Sequence, residues 1–213
     1  ATTIYTNLDT VMLGQLGEVA MSGSSLGNQI GFIYQIMNLG LTAGAGVLTS
    51  QYWGRKDSVS IRKVMSMAYK ISMTLAAIFT ILALTIPDIL MSFYTKEPEV
   101  IEAGAQYLRI IAFTYLVSGF TMTSMSILRT VGTVKITLYM YIISFFVNVF
   151  FNYCLIFGHF GFPQMGIVGA AIATLIARVV ECMIIVVYVF RIDKKIGFQV
   201  QDIFQKIDRE ILG

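Results

Sequence analysis

The chain has 213 residues, of which 56% are hydrophobic and 13% charged, with a net charge of +3 and a mean hydropathy of +0.75. Soluble domains carry about a quarter charged residues, so this composition excludes an ordinary soluble globular domain and is that of a membrane protein. The basic balance would fit nucleic acid or acidic lipid as a partner, but the placement of the charges gives it a simpler meaning.

In chain order, residues 1–14 are apolar yet too short to span a bilayer alone, and they read as the end of a first helix truncated at Ala1. That segment, in "NLDTVMLGQLG", carries one carboxylate, Asp9. The second span, about 28–52, is Gly-rich and uncharged over most of its length and places Gln35, Asn38, Thr42 and Thr49 at helical spacing. Its Gly40 and Gly44 form a small-xxx-small pair, which predicts close helix packing. The third span, 62–87, is closed by Pro87. In "KEPEV" Pro98 suits a first helical turn and the acids suit its positive dipole end. The fourth span, 100–128, includes Tyr107 and sets Thr114, Ser118 and Thr121 on one face.

The fifth span, 135–157, has the clearest polar stripe: Thr137, Tyr141, Ser144, Asn148 and Asn152, separated by 4, 3, 4 and 4 residues. After a turn in "GHFGFPQMG", the sixth span, 166–191, places Thr174, Arg178 and Glu181 at i, i+4 and i+7. Residues 193–213 space Val200, Ile203, Phe204, Ile207 and Ile211 as an amphipathic interfacial helix would. A linker toward a further lobe is the compatible alternative. The fold class is therefore all-α, a polytopic transmembrane bundle with a membrane lobe over 1–192.

Four basic residues (Arg55, Lys56, Arg62, Lys63) follow the second span, two (Arg129, Lys135) follow the fourth, and five (Arg191, Lys194, Lys195, Lys206, Arg209) follow the sixth. Eleven of the 15 basic residues thus fall on one side. The opposite loops hold Lys96 with Glu18, Asp88, Glu97, Glu99 and Glu102. The positive-inside rule puts the basic loops and the C-terminal tail in the cytoplasm, so the positive charge reports topology and implies no nucleic-acid partner. Cys154 and Cys182 both fall within spans and read as packing residues.

Polar side chains in hydrocarbon must face protein or water. The amides of the fifth span can bond to a neighbouring helix or line a cavity; five polar positions on one face favour a cavity, together with Gln35, Asn38 and Thr42. Arg178 and Glu181 read as an intrahelical ion pair that makes both tolerable inside the bundle. Asp9 has no basic partner in its own segment. It either anchors its helix or, as a buried carboxylate, binds a proton, a sodium ion or an organic cation.

These segments resemble the multidrug and toxic compound extrusion (MATE) transporters. The resemblance rests on "NLDTVMLGQLG", "LTSQYWGRKD", "QYLRI", "SILRTVGTVK" and "VNVFFNYCLIFGHFGFPQMGIVGAAIATLIAR", in that order, and covers nearly the whole chain. It implies the N-terminal six-helix lobe of a twelve-helix transporter in two pseudo-twofold lobes, and a secondary multidrug antiporter that exports amphipathic, often cationic compounds against inward H+ or Na+. By position, Asp9 matches the family's helix-one aspartate implicated in cation coupling. Asn148, Asn152, Thr174 and Tyr107 match members of its polar network. Some relatives have an aspartate where Asn152 stands, and an asparagine cannot relay a proton by titrating. A two-carboxylate proton route in this lobe is thereby in doubt, and sodium at Asp9 stays open. The family implies no cofactor, a multi-pass location in a cell membrane such as the bacterial inner membrane, and the C-terminal lobe as partner.

Three rival classes fit these residues less well. A lipid-linked precursor flippase would favour several basic residues in its cavity, where this chain offers Arg178 and Arg109. A non-transporting membrane scaffold predicts scattered polar residues rather than a stripe. An enzyme lacks support, since the one histidine, His159, lies in a loop and no nucleophile or metal-ligand spacing is present.

Overall fold

The computed structural model describes residues 12–15 and 17–204. We number its α-helices α1 (Glu18–Gly54), α2 (Ser58–Thr85), α3 (Pro87–Ser92), α4 (Pro98–Thr130), α5 (Lys135–Phe157) and α6 (Gly166–Val187). The last continues as a π turn, Tyr188–Ile192. Counting that extension, five helices among the described residues are long and apolar enough to cross a membrane, and the chain is a multi-pass membrane protein. At 1.5 Å per residue, the 37 residues of α1 reach about 55 Å, well beyond a hydrocarbon core of about 30 Å.

The helix bounds follow from local chemistry. Asp57 caps α2: its carboxylate accepts from the Ser60 amide at 3.0 Å and from Ser60 Oγ at 2.6 Å, which satisfies an orphan N–H. The same bonds hold its carboxyl below the usual carboxylate range. Pro87, expected to close the third span, instead opens α3 after α2 ends at Thr85; proline is well suited to a first helical turn. Pro98 does the same for α4. Gly158 ends α5 at φ 75, ψ 33, the left-handed cap that glycine adopts without strain.

α4 is the centre of the bundle and packs against α1, α2 and α6, while α5 packs mainly on α6. Gly23 and Gly27 of α1 let the α1 and α4 backbones meet. A Cβ on Gly23 would lie 2.9 Å from the Gly104 nitrogen, and one on Gly27 would lie 2.9 Å from Tyr107 Cδ1. The close-packing role expected for Gly40 and Gly44 is a correction: among the described residues a Cβ at either would meet nothing within 4 Å. Both point away from the α1–α4 contact, where the stripe is Gly23, Gly27 and Gly31. Leu39, Ile81, Leu138 and Phe146 are exposed, as side chains that have lipid rather than water as solvent should be.

Beyond Ile192 the chain turns back onto the end of the bundle that carries Arg62. Ile196 and Phe198 are buried against Tyr69, Leu128 and Val189. Lys195 Nζ donates to the Val131 carbonyl at 3.1 Å and Arg62 Nη1 to the Gly197 carbonyl at 3.4 Å. Within the described residues the amphipathic pattern from Val200 forms a 3-10 turn, Val200–Phe204.

Candidate functional site

A cavity of about 360 Å3 is lined by α1, α4, α5 and α6. Its α1 wall is one helical face, Ser25, Asn28, Gln29, Phe32 and Gln35, flanking the glycines that hold α4 close. The α4 wall repeats the rule with Tyr107, Ile111, Thr114, Ser118, Thr121, Met122 and Met125, at the three- and four-residue steps that keep side chains on one face. α5 contributes Tyr141, and α6 contributes Thr174, Arg178 and Glu181.

The wall changes character along the bundle. At the end far from the basic loops, Tyr107 Oη donates to Asn28 Oδ1 at 3.2 Å. Asn28 Nδ2 is buried without a hydrogen-bond partner among the described residues. In the middle the hydroxyls turn onto their own helix, Thr114 to the Ile111 carbonyl at 2.6 Å and Thr121 to the Val117 carbonyl at 3.1 Å. Toward the basic end, Arg178 Nη1 donates to Glu181 Oε2 at 2.8 Å, with side-chain exposures of 15% and 3%.

Of the positions expected to line a cavity, Gln35 and Tyr141 do so and Asn38, Thr42 and Ser144 do not. Asn38 Nδ2 donates to Tyr34 Oη at 2.9 Å and Ser72 Oγ at 3.0 Å, tying α1 to α2. Thr42 bonds the Leu39 carbonyl and its own carbonyl accepts from Ser126. Ser144 donates to the Ala177 carbonyl on α6 at 3.3 Å. In each case a buried polar group took the nearest partner, as the cost of an unpaired one in a dry bundle requires.

The α5 amides are likewise buried. Asn152 Nδ2 donates to Asn148 Oδ1 at 3.1 Å, and Asn148 Nδ2 to Thr174 Oγ1 at 3.4 Å. Thr174 thus belongs both to this amide chain and to the cavity wall. Asp9 lies outside the described residues. Sequence reasoning missed Asn28, although stepping back seven residues from Gln35 along the same face reaches it. Among the described residues no group of three His, Cys, Asp or Glu side chains is placed to hold a metal ion.

The family model described as MatE matches residues 1–154. The chain belongs to the MatE family. A Thermotoga maritima relative named "Probable multidrug resistance protein NorM" is 31% identical over 190 residues, which cover 86% of this chain and 39% of the relative. A Rhizobium meliloti relative of the same name is 30% identical over 183 residues, again 86% and 39%. The solved structure described as "Crystal structure of MATE in the bent conformation" superposes with a TM-score of 0.88 at 23% identity, over 99% of this chain and 46% of that one. The all-α bundle is therefore the MATE N-terminal lobe fold, and the chain spans less than half the length of these relatives.

Proposed function

We propose that this MatE-family chain is one lobe of a multidrug efflux antiporter, which exports amphipathic, often cationic compounds in exchange for inward H+ or Na+. The observation that carries the reading is the cavity with mixed polar and apolar walls inside the bundle, in a family whose relatives carry multidrug-resistance names. Aromatic and methionine side chains (Phe32, Tyr141, Met122, Met125) supply adaptable contact for flat apolar bodies, and the polar wall supplies orientation.

In this reading Asp9 is the ion-coupling carboxylate, with Tyr107, Asn148, Asn152 and Thr174 as its network; Na+ is the metal it would bind. Thr174 is where ion and substrate meet, since it touches Asn148 and the cavity at once. A proton or ion at Asp9 would change how the first helix packs on the α5 amides, and so bias the lobe between open states. The basic end faces the cytoplasm of a cell membrane, and a C-terminal lobe completes the translocation path.

The test uses the full-length transporter in everted vesicles. Addition of an amphipathic cation should dissipate an imposed proton or sodium gradient, whichever ion couples, and Asp9→Asn should abolish that at unchanged protein level. If Asp9→Asn behaves as the parent does, coupling lies elsewhere. If no cation discharges either gradient, the antiport reading falls.

A further inference from the structure

The α6 ion pair is wider in consequence than a structural one. Glu181 is 2% exposed, yet it lies on the cavity wall and uses only one oxygen on Arg178. Its other oxygen, Oε1, is buried without a hydrogen-bond partner among the described residues. A buried carboxylate oxygen left unpaired is costly, and a fold retains it most readily where something else fills it. Tyr141, Thr121 and Met125 share this part of the wall, so an aromatic and apolar surface lies beside the spare acceptor. The position is distinct from the amide chain of Asn148 and Asn152, since Glu181 is seven residues, two helical turns, beyond Thr174 toward the basic end.

We propose that Glu181 is a recognition site for the cationic head of a substrate, and that Arg178 is its resident counter-ion, which an organic ammonium joins or replaces at the carboxylate. This rests on the efflux reading above and names within it the substrate chemistry and the residue that reads charge. The choice of an organic cation over an inorganic one follows from size and lining. A space of about 360 Å3 is far larger than one ion, and flat aromatic cations gain from a ring such as Tyr141. With Arg178 in place the pair is neutral, so the site discriminates cations from neutral molecules only modestly and stays broad in substrate. It also keeps the carboxylate compensated when the cavity is empty, which an unpaired acid at this depth would not be.

A structural pair and a recognition pair predict different signs. Were the pair only structural, Arg178→Gln and Glu181→Gln would both weaken binding of every probe. As a recognition site, Arg178→Gln leaves a net negative wall and raises cation affinity, whereas Glu181→Gln leaves a net positive wall and lowers it. The measurement is fluorescence titration of the purified full-length transporter with one ring frame at three charges, at about pH 8: N-methylacridinium (cationic), acridine (neutral) and acridine-9-carboxylate (anionic). The expected changes for N-methylacridinium, which carries charge but no N–H donor, are about tenfold up in Arg178→Gln and about tenfold down in Glu181→Gln, the size of a modest coulombic gain or loss of one opposite charge at a partly desolvated site. Acridine should move less than about twofold, and acridine-9-carboxylate should shift oppositely to the cation.

Should Glu181→Gln not fold, Arg178→Gln alone decides, because a rise in cation affinity is an outcome a structural role does not give. Parallel losses across the three probes would overturn the proposal. So would a Glu181→Gln transporter that keeps its N-methylacridinium affinity but loses sodium dependence of export, since the carboxylate would then serve the coupling ion. A parent protein that binds N-methylacridinium with the expected charge response but discharges no ion gradient in vesicles would support the site and overturn the antiport reading, so the two failures are distinguishable.

Discussion

The seam between α1, α2 and α4 and the cavity between α1, α4, α5 and α6 are built from the same kinds of residue and use them oppositely. In the seam the polar groups take protein partners, except Tyr115 Oη, which is buried without one among the described residues and belongs to a residue that also lines the cavity. Tyr34 Oη donates to the Tyr115 carbonyl at 2.9 Å, Ser72 Oγ to the Gly119 carbonyl at 3.1 Å and Thr80 Oγ1 to the Ala112 carbonyl at 3.0 Å. Asn38 joins Tyr34 to Ser72. Tyr34, Phe79 and Tyr115 pack about this network at tilted and edge-on angles, with ring centroids 5.0 to 6.3 Å apart. On the cavity wall Asn28 Nδ2 and Glu181 Oε1 are left without protein partners among the described residues. Polarity in the seam ties helices together, whereas on the wall, where Tyr107, Thr114, Thr121 and Arg178 also bond to protein, these two atoms keep unused hydrogen-bonding capacity.

The widest split between the two uses should come from glycine. Gly23→Ala would put a Cβ 2.9 Å from backbone nitrogen on α4, which no side-chain rotation can relieve, so α1 and α4 must separate at a cost of about 1–3 kcal/mol. Gly40→Ala, with nothing within 4 Å, should instead stabilise the helix by up to about 1 kcal/mol. Thermal unfolding of the purified transporter in detergent reads both. Equal losses at the two positions would mean that the α1–α4 glycines have no special place in the packing.

Next in size is the centre of the seam. Asn38→Leu removes one hydrogen bond within α1, to Tyr34, and the bonding to Ser72 that joins α1 to α2, and leaves Tyr34 and Ser72 to their carbonyl acceptors. The cost should be about 1 kcal/mol, the scale of such bonds within membranes, where the unfolded chain also finds partners. Export by the folded fraction should be close to normal, because Asn38 does not touch the cavity. A variant of normal stability that cannot export would move Asn38 back to the cavity wall.

How much of this was legible in the sequence depends on what the residue type had to decide. Hydropathy and charge asymmetry defined the long apolar spans, because a bilayer leaves few other ways to satisfy 20 apolar residues. The polar stripe on α5 was also legible as a stripe. Its use was not, since the same 4, 3, 4, 4 spacing fits both a cavity and a neighbouring helix. Only the position of α6 against α5 turned Ser144 and Asn148 toward Ala177 and Thr174. The glycine motif failed in a related way: both Gly40–Gly44 and Gly23–Gly27 have the spacing, and which one meets α4 depends on the rotation of α1 about its axis. The strap at Ile196 and Phe198 was hidden because its burial is set by long-range contacts with Tyr69 and Leu128, not by any period of its own.

The smallest effect on stability, and the most informative about the wall, belongs to Gln35. It is three residues before Asn38 on the same helix, but lines the cavity rather than the seam. Gln35→Leu should change the unfolding temperature little, within the roughly 0.5 kcal/mol expected of a residue outside the packed network. It should weaken binding of polar-headed substrates several-fold while sparing wholly apolar ones, because the leucine keeps the bulk and removes the amide. Titration with a matched pair of such substrates, alongside the unfolding scan, reads both halves. A loss of stability comparable to that of Asn38→Leu, with binding unchanged, would place Gln35 in the seam and erase the boundary that separates helix-holding polarity from substrate-facing polarity along α1. The opposite pattern at two positions less than one turn apart would show that this boundary runs down the middle of a single helix.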